Sequence, residues 1–200
     1  MGNKASAGRR PGISGTRETI LAAARSTFAD QGFTAATVRA IAEDAGVDPA
    51  LVRHYFGSKR GLFVQAAELP FQPRDVLPRF FEGDPAQVGE KLVAFLLQLL
   101  EVGPARMTVL GLLRAAVDDP EAAEMFRRRL SAEFFGAIVT ALTKDQPDLR
   151  ASLVTSQMVG LAFARYVLRL EPLASLPADQ VIATVGPAVQ RYIADPLTTP

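Results

Sequence analysis

Residues 37–59 read T-V-R-A-I-A-E-D-A-G-V-D-P-A-L-V-R-H-Y-F-G-S-K. Two short helices fit this run, over 38–45 and 49–56. Thr37 can cap the first by accepting a backbone N–H. Asp48 can cap the second, with Pro49 at the first helical position, where a missing N–H costs nothing. Gly46 permits a sharp turn between them, and Gly57 closes the second. The pattern predicts a helix-turn-helix. Val52 and Phe56, four residues apart, mark the inward face of the second helix. Ala50, Arg53 and His54 then project outward, with Pro49 at the leading edge and Tyr55 on the flank.

That outward face suits DNA. The major groove admits one helix, whose N-terminal residues meet base edges. Small residues there let the backbone come close, and Arg53 can pair with a guanine edge, a contact worth about 1–3 kcal/mol of discrimination. Tyr55, the Thr37 hydroxyl, Arg39 and Lys59 suit phosphates. Lys59 and the N–H groups of a helix starting at Ser58 make a natural anion clamp.

Helical patterning continues on both sides. Residues 1–15 are read as a disordered basic tail, in which Arg9 and Arg10 could reach a minor groove. From Thr16, the stripe Ile20, Leu21, Ala24 and Phe28 predicts a helix that stops at Gly32. A fourth helix follows Ser58 to about Leu69. Pro70, Pro73 and Pro78 then break the chain. Further helices are expected over roughly 86–102, 104–117, 120–143, 149–170 and 178–193, separated by Pro-containing turns. No stretch alternates as a strand would. The fold class expected is all-α: an N-terminal three-helix helix-turn-helix bundle over 16–67, then a larger helical bundle over 68–200.

Composition narrows the function. The chain has 200 residues, 48% of them hydrophobic, no cysteine and one histidine. That excludes thiol chemistry, disulfides and a His-rich metal site, so no metal and no cofactor is expected. No apolar run reaches the roughly 18 residues of a membrane span, and no signal peptide is evident, so a cytoplasmic protein without a membrane partner is expected. The start M-G-N-K-A-S fits the myristoylation pattern, which is too short to outweigh chance. The net charge of +1 hides an asymmetry: residues 1–60 hold nine Lys/Arg and five acids, a net +4. A basic N-terminal third suggests an anionic partner.

Residues 16–67 resemble the DNA-binding domain of the tetracycline-repressor (TetR) family of bacterial regulators. The run T-R-E-T-I-L-A-A-A-R-S-T-F-A-D-Q-G-F carries the likeness, followed by T-V-R-A-I-A-E-D-A-G-V-D-P-A-L-V-R-H-Y-F-G-S-K-R-G-L-F. The resemblance implies that Thr37, Arg39, Pro49, Ala50, Arg53, His54, Tyr55 and Lys59 occupy DNA-contacting positions. It also implies a dimerising, ligand-binding second domain. Arg53 stands where a tyrosine is common, which predicts a different base preference. Gly61 replaces a common acid, so Ser58 lacks a capping-box partner.

The rest of the chain yields weaker expectations. The helix over 149–170 is apolar around much of its circumference, so two sides need cover. One could face a second subunit through Leu153, Val154, Gly160, Leu161 and Ala164, joined by the stripe Val181, Val185, Val189 and Tyr192 on the last helix. A homodimer would match two recognition helices to a two-fold operator. Met107, Leu110, Leu113, Phe126, Phe134, Met158 and Phe163 could line an apolar effector cavity or form an ordinary core. Arg114 and Arg165 lie on otherwise apolar helices. The run Arg127-Arg128-Arg129 reads as a solvated face.

The expected function is thus a dimeric DNA-binding repressor released from its operator by a small apolar or amphipathic ligand, not an enzyme. Two alternatives compete. An enzyme would have to use Asp118-Asp119 with Glu121 and Glu124, which read better as helix caps. A helical interaction protein would bind by its basic end without preference among DNA sequences.

Overall fold

The computed structural model describes residues 13–68, 72–101, 105–143 and 145–197. The expectations for residues 1–12, including Arg9 and Arg10, lie outside this range. Helix α1 (Ile13–Ala35) begins three residues earlier than expected. Its stripe of Ile20, Leu21, Ala24 and Phe28 is buried. Gly32, at φ 76° and ψ 172°, breaks the helical geometry near its end, a conformation open to glycine at little cost. Then come α2 (Val38–Asp44), α3 (Pro49–Phe56) and α4 (Lys59–Ala66). Each starts on an oxygen that accepts a backbone N–H: Thr37 from Ala40 at 3.1 Å, Asp48 from Ala50 at 2.7 Å, and Ser58 from Gly61 at 3.0 Å. Phe28, Phe33 and Phe63 close the bundle, with Phe28 and Phe33 both about 5 Å from the Phe63 ring.

The prolines after residue 70 interrupt the chain without ending helicity. Pro73 and Pro78 each open a one-turn helix, α5 (Pro73–Val76) and α6 (Pro78–Phe81), because proline fits the first helical position. The larger bundle follows as α7 (Val88–Glu101), α8 (Ala105–Asp118), α9 (Pro120–Phe126), α10 (Gly136–Leu142), α11 (Pro147–Ala162) and α12 (Ala178–Ala194). Among the described residues there is no strand. No single helix among them is long and apolar enough to cross a membrane.

Two stretches depart from 3.6-residue periodicity. Residues Arg127–Phe135, between α9 and α10, and Phe163–Val167, after α11, form wider π turns. The Gly136 N–H reaches back five residues to the Ser131 carbonyl. Such turns are rare and recur at functional sites. The first lets consecutive rings, Phe134 and Phe135, both turn inward.

The two groups of helices are joined through α8. Gly111 lies against the α1 backbone: a Cβ there would sit 3.3 Å from the Ala29 nitrogen. Arg114 donates to the carbonyls of Ala29 and Asp30, at the end of α1. The core of the first bundle continues through Leu112, Ala115, Ala122 and Met125. Arg60, in the first turn of α4, pairs with Glu121 at 2.7 Å and Asp119 at 3.5 Å, at the start of α9.

Candidate nucleic-acid interface

Val52 is 1% exposed and Phe56 6% exposed, and both anchor α3 in the first core. A helix held by those two residues turns Ala50, Arg53 and His54 to solvent, and all three are exposed. Pro49 and Tyr55 are half-buried on its edges. The His54 and Tyr55 rings meet edge to face at 5.6 Å. On α2, Ile41 and Ala42 are buried, while Thr37 and Arg39 face outward. The Thr37 oxygen already accepts from Ala40, so its own proton remains for an outside acceptor.

The cations of this bundle fall into two groups. Arg17 bonds Gln65 and lies over the Phe56 ring at 5.6 Å. Arg25 pairs with Glu18 at 3.2 Å and donates to the Ala66 carbonyl. Lys59 donates to the carbonyls of Thr34 and Ala36, and Arg60 is paired with α9. Among the described residues of the bundle, Arg39 and Arg53 alone carry positive charge without an ion pair or hydrogen bond. Both project from the two helices of the helix-turn-helix.

Gly61 has a local cause. A Cβ at this position would lie 2.1 Å from the Phe56 carbonyl oxygen, so the start of α4 presses directly on the end of α3. An acid there would need the turn to open. Ser58 caps the helix without one.

The second bundle holds an apolar cavity of about 40 Å³, bounded by Leu92, Phe95, Leu113, Phe126, Leu130, Phe134 and Met158 among others. Of the seven apolar residues expected around such a site, and Arg114 beside them, Leu113, Phe126, Phe134 and Met158 are here. Leu110 is buried in the same core but does not line the cavity. Met107 lies toward Arg25 and Phe63, in the seam with the first bundle. Arg114 and Phe163 line an open groove beside Asp30 and Gly32. Arg114 is committed to α1 carbonyls and is no anchor for a ligand in the cavity. Most of the other wall residues, Leu92, Phe95 and Leu130 among them, were not expected there. Phe95 is one turn from Leu92 and Leu99, a face that apolarity alone does not single out on so greasy a helix.

The residues expected at a subunit interface divide in the same way. Val154, Leu161, Val181 and Val189 are at most 6% exposed within one chain, so they cannot meet a partner. The expectation for these four is corrected: apolar stripes on α11 and α12 face the chain's own core. Gly160 is exposed, while Leu153, Ala164, Val185 and Tyr192 are half-buried. Along their middle turns the two helices present small residues outward, Ser152, Ser156 and Gly160 on α11 and Ala183, Thr184, Pro187 and Ala188 on α12, while Asp148, Leu149, Asp179, Gln180 and Arg191 are exposed nearer their ends.

Two arginines are buried for structural ends. Arg150, 3% exposed, pairs with Asp145 at 2.7 Å and donates to the carbonyls of Tyr192, Ile193 and Asp195, closing the C-terminal end of α12. Arg165 bonds Glu101 at 3.0 Å and the Leu173 and Leu176 carbonyls. Burial opposes its charge, but hydrogen bonds with Tyr166 and Glu101 prevail and its pKa rises. Tyr166 also bonds Glu101, at 3.1 Å, and burial pushes its pKa above the ordinary value. Among the described residues no group of three His, Cys, Asp or Glu could hold a metal ion. Asp119 accepts from the Ala122 N–H at the start of α9 and faces Arg60, so the acids there act as a cap and an ion pair.

Residues 20–66 match the family model described as bacterial regulatory proteins, tetR family. Residues 86–193 match the model of a tetracyclin repressor-like C-terminal domain. The chain is similar to the HTH-type transcriptional repressor NicS of Pseudomonas putida, 33% identical over 99 residues, 48% of this chain and 47% of that protein. It is also 31% identical to the HTH-type transcriptional regulator UidR of Escherichia coli over 119 residues, 57% of this chain and 58% of that one. The match thus spans about half the length of these curated relatives. A solved TetR-family regulator from Streptomyces coelicolor is 39% identical, with TM-score 0.64 over 94% of this chain and 100% of that one. NalD, the secondary repressor of the MexAB-OprM multidrug efflux pump in Pseudomonas aeruginosa, shares the fold at 21% identity, with TM-score 0.67 over 90% of this chain and 97% of that one.

Proposed function

From the premise that this chain belongs to the TetR family of bacterial regulatory proteins, we propose that it is a dimeric, sequence-specific DNA-binding repressor released by an apolar ligand. One observation carries the DNA reading. Arg39 and Arg53 are exposed and unpaired on the helix-turn-helix, while the other described cations of the bundle are held by hydrogen bonds or ion pairs, Arg60 to α9. Arg53, with Ala50 and Pro49 at the leading edge, reads bases, and Arg39 and Thr37 hold phosphates. NicS is a repressor by name, and repression is the direction proposed here.

Dimerisation follows from the need to place two recognition helices on one operator. The outward faces of α11 and α12 suit it because small residues let helices approach closely. Gly160 has nothing within 4 Å of a built Cβ, so the monomer has room for a large residue there. Gly160→Arg is therefore expected to leave the fold intact, yield monomers in sedimentation equilibrium and abolish operator binding. A Gly160→Arg protein that remains dimeric would exclude this face.

The cavity supports an apolar effector, since its named walls are aliphatic, aromatic or thioether side chains. At about 40 Å³ it holds a few waters, far short of the roughly 300–1,000 Å³ of a ligand site. An effector must push a wall aside. Helix α8 is the wall that matters: Val109 and Leu113 face the cavity, and Gly111 and Arg114 on the same helix hold α1. Displacing α8 then moves the first bundle and changes the separation of the recognition helices. A few kcal/mol of preference for the opened state is enough to empty the operator.

A further inference from the structure

We infer that Arg60 is the latch of a hinge between the two bundles: its ion pairs to Asp119 and Glu121 hold the angle at which the helix-turn-helix is presented. The functional half of this rests on the DNA reading above, and the hinge itself on geometry alone.

The bundles meet at two places of different character. At the first, α8 lies directly on the end of α1. A Cβ at Gly111 would sit 3.3 Å from the Ala29 nitrogen, and Arg114 donates to the Ala29 and Asp30 carbonyls. This close backbone contact is the pivot. At the second, α4 faces the start of α9 across a cleft of about 230 Å³ bordered by Phe33, Phe63, Val64 and Met125. Val64 is 37% exposed there, so apolar packing does not close this edge. Arg60 spans it, with Nε 2.7 Å from Glu121 and Nη2 3.5 Å from Asp119. A planar guanidinium that meets two carboxylates through different nitrogens fixes direction as well as distance. The other charges on the rim, Glu124 and Arg128, pair with Arg127 and Glu133 of the second bundle. Among the described residues, no other ion pair crosses the cleft.

Both ends of the latch are stiffly mounted. Arg60 precedes Gly61, where a Cβ would lie 2.1 Å from the Phe56 carbonyl oxygen at the end of α3. An angle imposed on α4 therefore passes to the recognition helix without slack. On the other side, Asp119 is held by its own cap, accepting from the Ala122 N–H at 2.8 Å. Asp119 and Glu121 stand at the start of α9, whose last residue, Phe126, lines the apolar cavity. An effector that displaces α8 and α9 must part the latch before the first bundle can turn about Gly111.

The chain has no cysteine, so a pair of introduced spin labels reads the angle directly. Glu43→Cys on α2 and Ala141→Cys on α10, both at exposed positions, carry the labels in the full-length protein. Labelled chains are diluted with unlabelled ones, so that only the distance within one chain is read. With the latch intact, one narrow distance distribution is expected. Arg60→Met and Glu121→Gln are each expected to broaden it, and the double variant to match Arg60→Met, because both remove the same contact. Salt at about 1 M, which screens charges beyond about 3 Å, is expected to broaden the unaltered protein in the same way. An exposed pair shifts an equilibrium about two- to fivefold, and Arg60→Met is expected to weaken binding to a selected operator duplex by that factor. Distributions that coincide with and without Arg60→Met and Glu121→Gln overturn the latch. A broadened distribution with unchanged operator affinity overturns its functional half. Wild-type protein that prefers no DNA sequence would instead defeat the DNA reading, and the distances, measured without DNA, would still decide the latch.

Discussion

Gly89 and Gly186 bring α7 and α12 into backbone contact: a Cβ on Gly89 would lie 2.3 Å from the Gly186 carbonyl oxygen. A Cβ on Gly186 would meet Glu90 at 2.6 Å. The Gln190 side chain seals the junction, accepting from the Gly89 N–H at 2.8 Å and donating to the Pro85 carbonyl at 3.1 Å. Neither helix can take a methyl group here without moving the other. Gly89→Ala is expected to destabilise the protein by about 1–3 kcal/mol through overpacking. A drop of roughly 2–12 °C in the melting temperature, followed by circular dichroism, checks this.

Arg150 sets a second test in the same bundle. Replacing it by Met strands three carbonyls at the end of α12 and leaves Asp145 unpaired. Each dry acceptor costs about 1–3 kcal/mol, and water entering at the helix end recovers part, so a net loss of about 3 kcal/mol is expected in urea unfolding. Lys at this position is not a substitute, because one ammonium cannot reach a carboxylate and three carbonyls at once. Arg150→Lys retaining full stability would refute this account of the site.

Tyr166 makes stability fall in alkali. Its folded pKa is raised, chiefly by burial, so the unfolded chain loses this proton first as pH rises past the ordinary value of 10.0. The stabilisation is therefore fully present below that pH and is lost as pH climbs toward the folded value. Melting curves of wild type and Tyr166→Phe are expected to run parallel below it. Above it, the wild type declines more steeply.

The cavity predicts a chemical rescue. Met158, 2% exposed, lines it, and Met158→Ala is expected to lose about 2–5 kcal/mol and enlarge the space. Benzene or another small uncharged aromatic at ten times its Kd would return about 1.4 kcal/mol. An anionic analogue of the same size would return nothing, because the cavity walls offer it no partner. Equal rescue by both would contradict an apolar site.

How much of this was legible in the sequence depended on how local the physics was. Thr37, Asp48 and Ser58 act on N–H groups two or three residues away, so the caps and the helices they start could be read directly. Val52 and Phe56 share a face at helical spacing, which fixed the outward side of α3. The faces of α11 and α12 could not be assigned that way. A helix apolar all round does not say which side is its own core, and Val154, Leu161, Val181 and Val189 were placed on the wrong one. The π turn at 127–135 inserts an extra residue per turn, so 3.6-residue periodicity does not predict Phe134 and Phe135 side by side in the core. Lys59, Arg114 and Arg165 find backbone carbonyls brought near only by the fold. Their charges were visible, and their partners were not.

The most direct test of the central claim is selection of bound duplexes from a random library by the full-length protein at about 150 mM salt, where charge attraction alone is weakened. The account predicts a two-fold-symmetric site with half-sites one helical turn, about 10 base pairs, or a multiple of that apart. Arg53→Ala is predicted to relax the preference within each half-site, since a lost base contact is worth about 1–3 kcal/mol of discrimination. Recovery of unselected sequence would contradict it, leaving a basic helical surface that binds charge without reading bases.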